Sequence, residues 1–213
     1  SFTGKPVGVK GRIAVDESRC SIRQLDEATI SRIAAGEVVE RPASVVKELC
    51  ENALDAGASA VRIRIITHGG RISAITVTDD GCGMNRDEAR LAFSRHATSK
   101  IKEIDDLCTC KTLGFRGEAL ASIAAVSRVT LTTRERGKPA VAGTRLVNEG
   151  GTITGEQEAG CPVGTSITVE DIFYNTPARR KFQRSQAAEI AQISHVVERL
   201  TITHPHIAFS LIV

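Results

Sequence analysis

The chain has 213 residues, 41% of them hydrophobic, 25% charged and 3% aromatic, with no tryptophan. That is enough for one sizeable, mainly aliphatic core, or for a domain and the start of another. The net charge of +3 is too small to imply a nucleic-acid partner by itself, and no apolar run has the length of a membrane span. No secretory signal opens the chain, and the reading is of a soluble, intracellular protein. The six cysteines, Cys20, Cys50, Cys82, Cys108, Cys110 and Cys161, are scattered, which argues against a disulfide framework. Cys108-Thr109-Cys110 lacks the second pair or histidine that a zinc site needs.

Ser1 to Ser18 contains Gly4, Gly8 and Gly11 with little periodicity, and residues 1–21 read as a flexible arm or an expression remnant. Asp26 caps a helix from Glu27 to Ala35, for which Gly36 is the expected stop. Arg41-Pro42 breaks the chain before a helix from about Ser44 to Ala56. Val61 to Ile66 and Ile72 to Thr78 alternate as strands around His68-Gly69-Gly70, a hairpin. Asn85 and Glu88 form a capping box for a helix through about Ser94. After a weakly patterned stretch with a short helix near Glu103 to Cys108, Glu118 to Val126 is apolar nearly all round and reads as a buried helix. Val129 to Thr133, Ala140 to Asn148, Thr152 to Glu156 and Thr165 to Glu170 read as consecutive, antiparallel strands. Ser185 to Leu200 is a further helix and Ile207 to Val213 a last strand. Helices followed by runs of strands favour an α+β two-layer sandwich over a doubly wound sheet.

Several segments carry chemistry. In the helix over Val45 to Asp55, Glu48, Glu51, Asn52 and Asp55 share one stripe opposite Val46, Leu49, Cys50, Ala53 and Leu54. Lys47 stands at the edge of that stripe and offers only partial relief of its charge. Such a stripe is either a solvated acidic face or a face that awaits a cation. Ile75, Val77 and Asp79 share the core-facing side of their strand, so Asp79 is a carboxylate in need of a donor. It heads Asp79-Asp80-Gly81-Cys82-Gly83, which is either a turn with a capping acid or a place where a flat ligand nears the backbone, Asp79 accepting from a purine amine. Gly114 to Leu120 (GFRGEAL) runs from a glycine loop into the buried helix. It is either a simple linker or an anion cradle for phosphates. Arg95 to Lys100 (RHATSK) adds hydroxyl and cationic donors in a segment long enough for a lid. No Walker loop occurs, and no strand feeds a G-x-G-x-x-G. Taken together, the stripe, the purine-reading carboxylate and the cradle are what a magnesium-ATP site requires. Asn52 suffices for a hard ion that keeps its waters, and Glu48 lies one turn away to activate water.

Six segments, AAGEVVERP (34–42), KELCEN (47–52), DDGCG (79–83), RHATSK (95–100), GFRGEAL (114–120) and FYNTPAR (173–179), resemble in order those of the MutL family of DNA mismatch repair proteins, from about Ile22 to the end. The chain resembles more loosely the wider GHKL superfamily of gyrase B subunits, ninety-kilodalton heat-shock chaperones and histidine kinases. The resemblance implies a Bergerat ATP-binding fold with a mixed, largely antiparallel sheet covered by helices, spanning residues 22–200. Residues 201–213 would end that domain or begin a truncated second one. It also implies Glu48 as general base, Asn52 as magnesium and nucleotide ligand, Asp79 as adenine reader and Gly83 beside it. Thr98, Ser99 and Lys100 would belong to the lid, Gly114, Phe115, Arg116, Gly117, Glu118, Ala119 and Leu120 would wrap the phosphates, and Thr165 would support the adenine end. Expected cofactors are ATP and Mg2+. Expected partners are a mismatch-recognition protein of the MutS type, DNA, and a second N-terminal region in an ATP-dependent dimer, with no membrane. The alternatives are a nucleotide-gated interaction module with little turnover, or another GHKL ATPase. Asp80 stands where such sequences commonly carry Asn, tolerable if it faces solvent.

Overall fold

The computed structural model describes residues 26–94, 118–138 and 142–213. Among them the elements run α1 (Glu27–Val38), α2 (Pro42–Asp55), β1 (Ala60–His68), β2 (Arg71–Asp79), α3 (Arg86–Leu91), α4 (Ala119–Ala125), β3 (Arg128–Arg134), β4 (Gly143–Glu149), β5 (Thr152–Ala159), β6 (Gly164–Glu170), α5 (Pro177–Lys181), α6 (Gln186–Thr203) and β7 (Ala208–Ile212). The strands form one sheet in the order β5-β4-β3-β6-β2-β1-β7. All neighbours are antiparallel except β7, which runs parallel to β1.

Local chemistry accounts for most boundaries. The Asp26 carboxylate accepts from Thr29 N–H at 2.7 Å and caps α1. Pro42 opens α2, where its missing N–H costs nothing. Asn85 and Glu88 make the expected capping box. Four expectations need correction. Helix α1 runs through Gly36 to Val38; the glycine makes room for Arg179, because a Cβ there would sit 1.5 Å from its Nη2. Helix α3 ends at Leu91, short of Ser94. The strands from β3 onward do not all pair in sequence: β6 passes over β4 and β5 and inserts between β3 and β2. Helix α5, begun by Pro177, has no counterpart among the elements expected from the sequence.

One face of the sheet is the core and the other is polar. Register aligns the core face into rows. Ile65, Ile75, Val169 and Val129 form one row, and Ile63, Val77, Ile167, Leu131 and Leu146 the next. These side chains are buried, and each contributes about 1.5–3 kcal/mol relative to exposure. Together with α1, α2, α4 and α6 they form one hydrophobic cluster. The opposite face pairs hydroxyls, Thr76 with Thr168 at 3.1 Å and Thr78 with Ser166 at 2.9 Å, and carries Arg62 and Arg64 exposed. The α+β two-layer sandwich is therefore the observed architecture.

Candidate functional site

The next row of the core face breaks the apolar pattern: Val61, Asp79, Thr165, Thr133 and Thr144 stand side by side across five strands. The three threonines are buried, and Asp79 is half-buried. Buried polar groups must be paired, and this row pairs internally. Thr133 Oγ1 lies 3.0 Å from Thr165 Oγ1 and 3.0 Å from the Gly164 carbonyl oxygen, and it accepts from Met84 N–H at 3.0 Å. The Asp79 carboxylate accepts from Gly81 N–H at 2.9 Å. Burial pushes the Asp79 carboxyl above the usual carboxylate range; the Gly81 and Thr165 N–H groups pull it down, and the charge of Asp80 pushes it further up.

The loop after Asp79 is docked against α2. Cys82 N–H donates to the Ala56 carbonyl oxygen at 2.9 Å, and Ala56 N–H donates to that of Asn52 at 3.0 Å. Arg136 closes the other side, its N–H donating to the Cys82 carbonyl oxygen at 2.8 Å and its guanidinium to that of Asp80 at 2.7 Å. Both glycines serve approach by protein, where the sequence suggests approach by a ligand. A Cβ on Gly81 would lie 2.8 Å from the Ala56 Cβ, and Gly83, at φ +67°, would bring a Cβ 1.9 Å from the Arg134 carbonyl oxygen. Asp80 does not merely face solvent. It accepts from Ser59 N–H at 2.7 Å, from Ala60 N–H at 2.9 Å and from the Ser59 hydroxyl; the Ser59 hydroxyl and the two backbone groups hold its carboxyl below the usual range.

On α2, Glu48 and Asn52 are half-buried, one turn apart, and Glu51 is buried. Lys47 does more than its place on the helical wheel suggests: its Nζ bridges Glu48 at 3.3 Å and Glu51 at 2.9 Å. Partial burial lowers the Lys47 ammonium, but the hydrogen bonds and charges of Glu51 and Glu48 outweigh it and raise the group overall. Beneath the stripe, the Cys50 thiol is pushed up to about 12 by burial and by the charges of Glu51 and Asp79. Helix α2 packs against β2, the strand that Asp79 ends. Glu118 precedes α4, and Leu120 is buried. Thr98, Ser99, Lys100, Gly114, Phe115, Arg116 and Gly117 lie outside the described residues, as do the arm over 1–21, the helix near 103–108 and the Cys108/Cys110 pair. Sequence reasoning missed Thr133, Thr144 and Ser59, whose roles arise only from pairing between distant strands.

Residues 40–150 match the family model described as histidine kinase-, DNA gyrase B- and HSP90-like ATPase. The chain belongs to that ATPase family. Within it, the chain is similar to MutL proteins over the region that it spans. It is 58% identical over 191 residues to the DNA mismatch repair protein MutL of Methanoculleus marisnigri, covering 90% of this chain and 33% of that protein. To the MutL of Desulforudis audaxviator it is 59% identical over 192 residues, with the same shares. It thus spans about a third of the length of these relatives. The structure is similar to that of the Aquifex aeolicus MutL ATPase domain complexed with ADP, with a TM-score of 0.65 and 31% identity over 82% of this chain and 60% of that one.

Proposed function

We propose that this chain binds magnesium-ATP at the polar row and the adjoining face of α2, hydrolyses it slowly, and uses the cycle as a conformational and dimerisation switch in DNA mismatch repair inside the cell. The observation that carries the reading is Asp79, a half-buried carboxylate held by Gly81 at 2.9 Å at the end of a buried hydroxyl row. It is oriented to accept a hydrogen bond from the exocyclic amine of adenine, with Thr165 supporting it and Gly83 fixing the loop. Asn52 would hold magnesium. The donor set of the stripe is oxygen only, which fits a hard ion that retains water, and the ion supplies charge neutralisation of the phosphates when bound. Glu48, one turn from Asn52, takes the proton of the attacking water; Lys47 holds that carboxylate at 3.3 Å and keeps it oriented. Glu118 to Leu120, with Gly114 to Gly117 before them and the Thr98 to Lys100 lid, would wrap the phosphates.

Residues 22–200 would form this unit, and the pairing of β7 with β1 supports counting 201–213 with it. In the longer protein the partners would be a second N-terminal region, a mismatch-recognition protein of the MutS type, and DNA, toward which the exposed Arg180, Lys181 and Arg184 offer positive charge. A single-turnover experiment tests the reading. Glu48→Ala should retain ATP affinity within about threefold and lose cleavage by roughly 10²–10⁴-fold. Cleavage at the unchanged rate would remove Glu48 from the chemistry. ATP retained intact by the unaltered chain would leave a binding module in place of an ATPase.

A further inference from the structure

Helix α6 passes into β7 through His204-Pro205-His206-Ile207, a β-turn closed by Ile207 N–H donating to the His204 carbonyl oxygen at 3.0 Å. Proline stands where its fixed φ suits the turn. The strand is tied down at once by Ala208 N–H donating to the Ser59 carbonyl oxygen at 2.9 Å. The two imidazoles therefore sit on a short, braced segment, with ring centroids 6.2 Å apart and planes inclined by 57°. Both line one cavity, whose facing wall is the end of α2 and its exit, including Asp55, Gly57 and Ala58.

The contacts of His204 turn one ring nitrogen to the end of α6. Its Nδ1 lies 2.9 Å from Thr203 Oγ1 and 3.3 Å from the Leu200 carbonyl oxygen. The single proton of the Thr203 hydroxyl is engaged by the helix carbonyls of Arg199 at 2.9 Å and Leu200 at 3.1 Å. In the tautomer that serves a metal ion, Nδ1 carries the proton and donates to the Leu200 carbonyl oxygen. That leaves Nε2, on the far side of the ring, as a bare lone-pair donor. A backbone carbonyl that holds the distant N–H is the usual brace of a metal-ligating histidine.

We infer that His204 and His206 form a binding site for a divalent transition ion of the zinc, nickel or copper class, distinct from Glu48 and Asn52, the side chains proposed to serve magnesium-ATP. Imidazole nitrogen selects such ions over magnesium or calcium. A ligated ring centre lies roughly 3 Å from its ion, so two rings sharing one ion have centres within roughly 6 Å. The observed 6.2 Å lies just beyond that spacing, and rotation of the exposed His206 side chain closes it. Among the described residues no three His, Cys, Asp or Glu side chains form a complete cage. Water therefore completes the shell.

The test is calorimetric titration of the chain with nickel chloride and with zinc chloride at pH 7.5, repeated on His204→Gln, His206→Ala and the double variant, each checked for folding by circular dichroism. Cobalt(II) is added to the unaltered chain while the histidine ring protons are followed by NMR. The expected result is that each single variant binds nickel at least tenfold more weakly. Cobalt should broaden the His204 and His206 signals ahead of those of the exposed His195. Unchanged nickel affinity in the double variant, or broadening that spares His204 and His206, would overturn the proposal.

Discussion

Replacing Gly83 by alanine puts a Cβ 1.9 Å from the Arg134 carbonyl oxygen, 2.6 Å from its carbon and 3.2 Å from the Glu135 nitrogen. All three are backbone atoms, so no rotamer relieves the overlap. Ordinary contact needs about 3.5 Å, so the loop or the end of β3 must retreat by roughly 1.5 Å. Overpacking of that kind costs about 1–3 kcal/mol, and the φ of +67° adds about 1–2 kcal/mol for a residue with a Cβ. The sum is about 2–5 kcal/mol. Gly57 is the internal control: its φ is +68° and nothing lies within 4 Å of the place a methyl group would take, so Gly57→Ala bears only the φ cost. With a urea slope of about 2 kcal/mol per molar, Gly83→Ala should lower the unfolding midpoint by about 1–2.5 M and Gly57→Ala by about 0.5–1 M. Indistinguishable midpoints for the two variants would refute the reasoning, since the close approach of loop and strand would then carry no cost.

Asp79→Asn should cost nucleotide affinity and yet stabilise the empty chain at neutral pH. Burial raises the folded carboxyl above the unfolded value of about 3.9, so its ionised form opposes folding at pH 7 and the penalty fades as pH falls through the raised folded value. Urea melts at pH 7 and pH 4.5 should show the variant's advantage shrinking in acid; an advantage that grows would invert the sign and sink the assignment. Asp80→Asn should be nearly silent, because Oδ1 still accepts from Ser59 and Ala60, whereas Asp80→Ala should cost about 1–2 kcal/mol in the same melts. Cys50, fully buried with its thiol pushed up to about 12, should label with a maleimide at pH 8 only as fast as the chain unfolds, while the exposed Cys82 labels at once. Peptide mapping by mass spectrometry distinguishes them, and equal rates would contradict the burial.

Signals in the sequence are legible where their cause is local. Asp26, Pro42 and the Asn85–Glu88 box set helix starts through their own backbone bonds, and the alternation in β1 and β2 places Asp79 on the core face. Gly36 misleads because its reason for being glycine, the guanidinium of Arg179, lies far along the chain. The same holds for the polar row: nothing near Thr133 or Thr144 announces that they will stand beside Asp79, since only the insertion of β6 aligns them. Lys47 looks peripheral on a helical wheel, yet its long stem lets the ammonium span Glu48 and Glu51.

The placement of β6 also bears on how the chain folds. Before residues 164–170 are in place, the sheet consists of two separate pieces, the β1-β2 hairpin and the β3-β4-β5 meander, each closed by local turns and able to form quickly. Strand β6 is the seam that joins them, and Asp79 meets Thr165, and through it Thr133, only across that seam. The polar row is therefore expected to be among the last parts to be assembled. In a refolding experiment, competence to bind nucleotide should arrive with the final phase, and a partly folded chain should be blind to it.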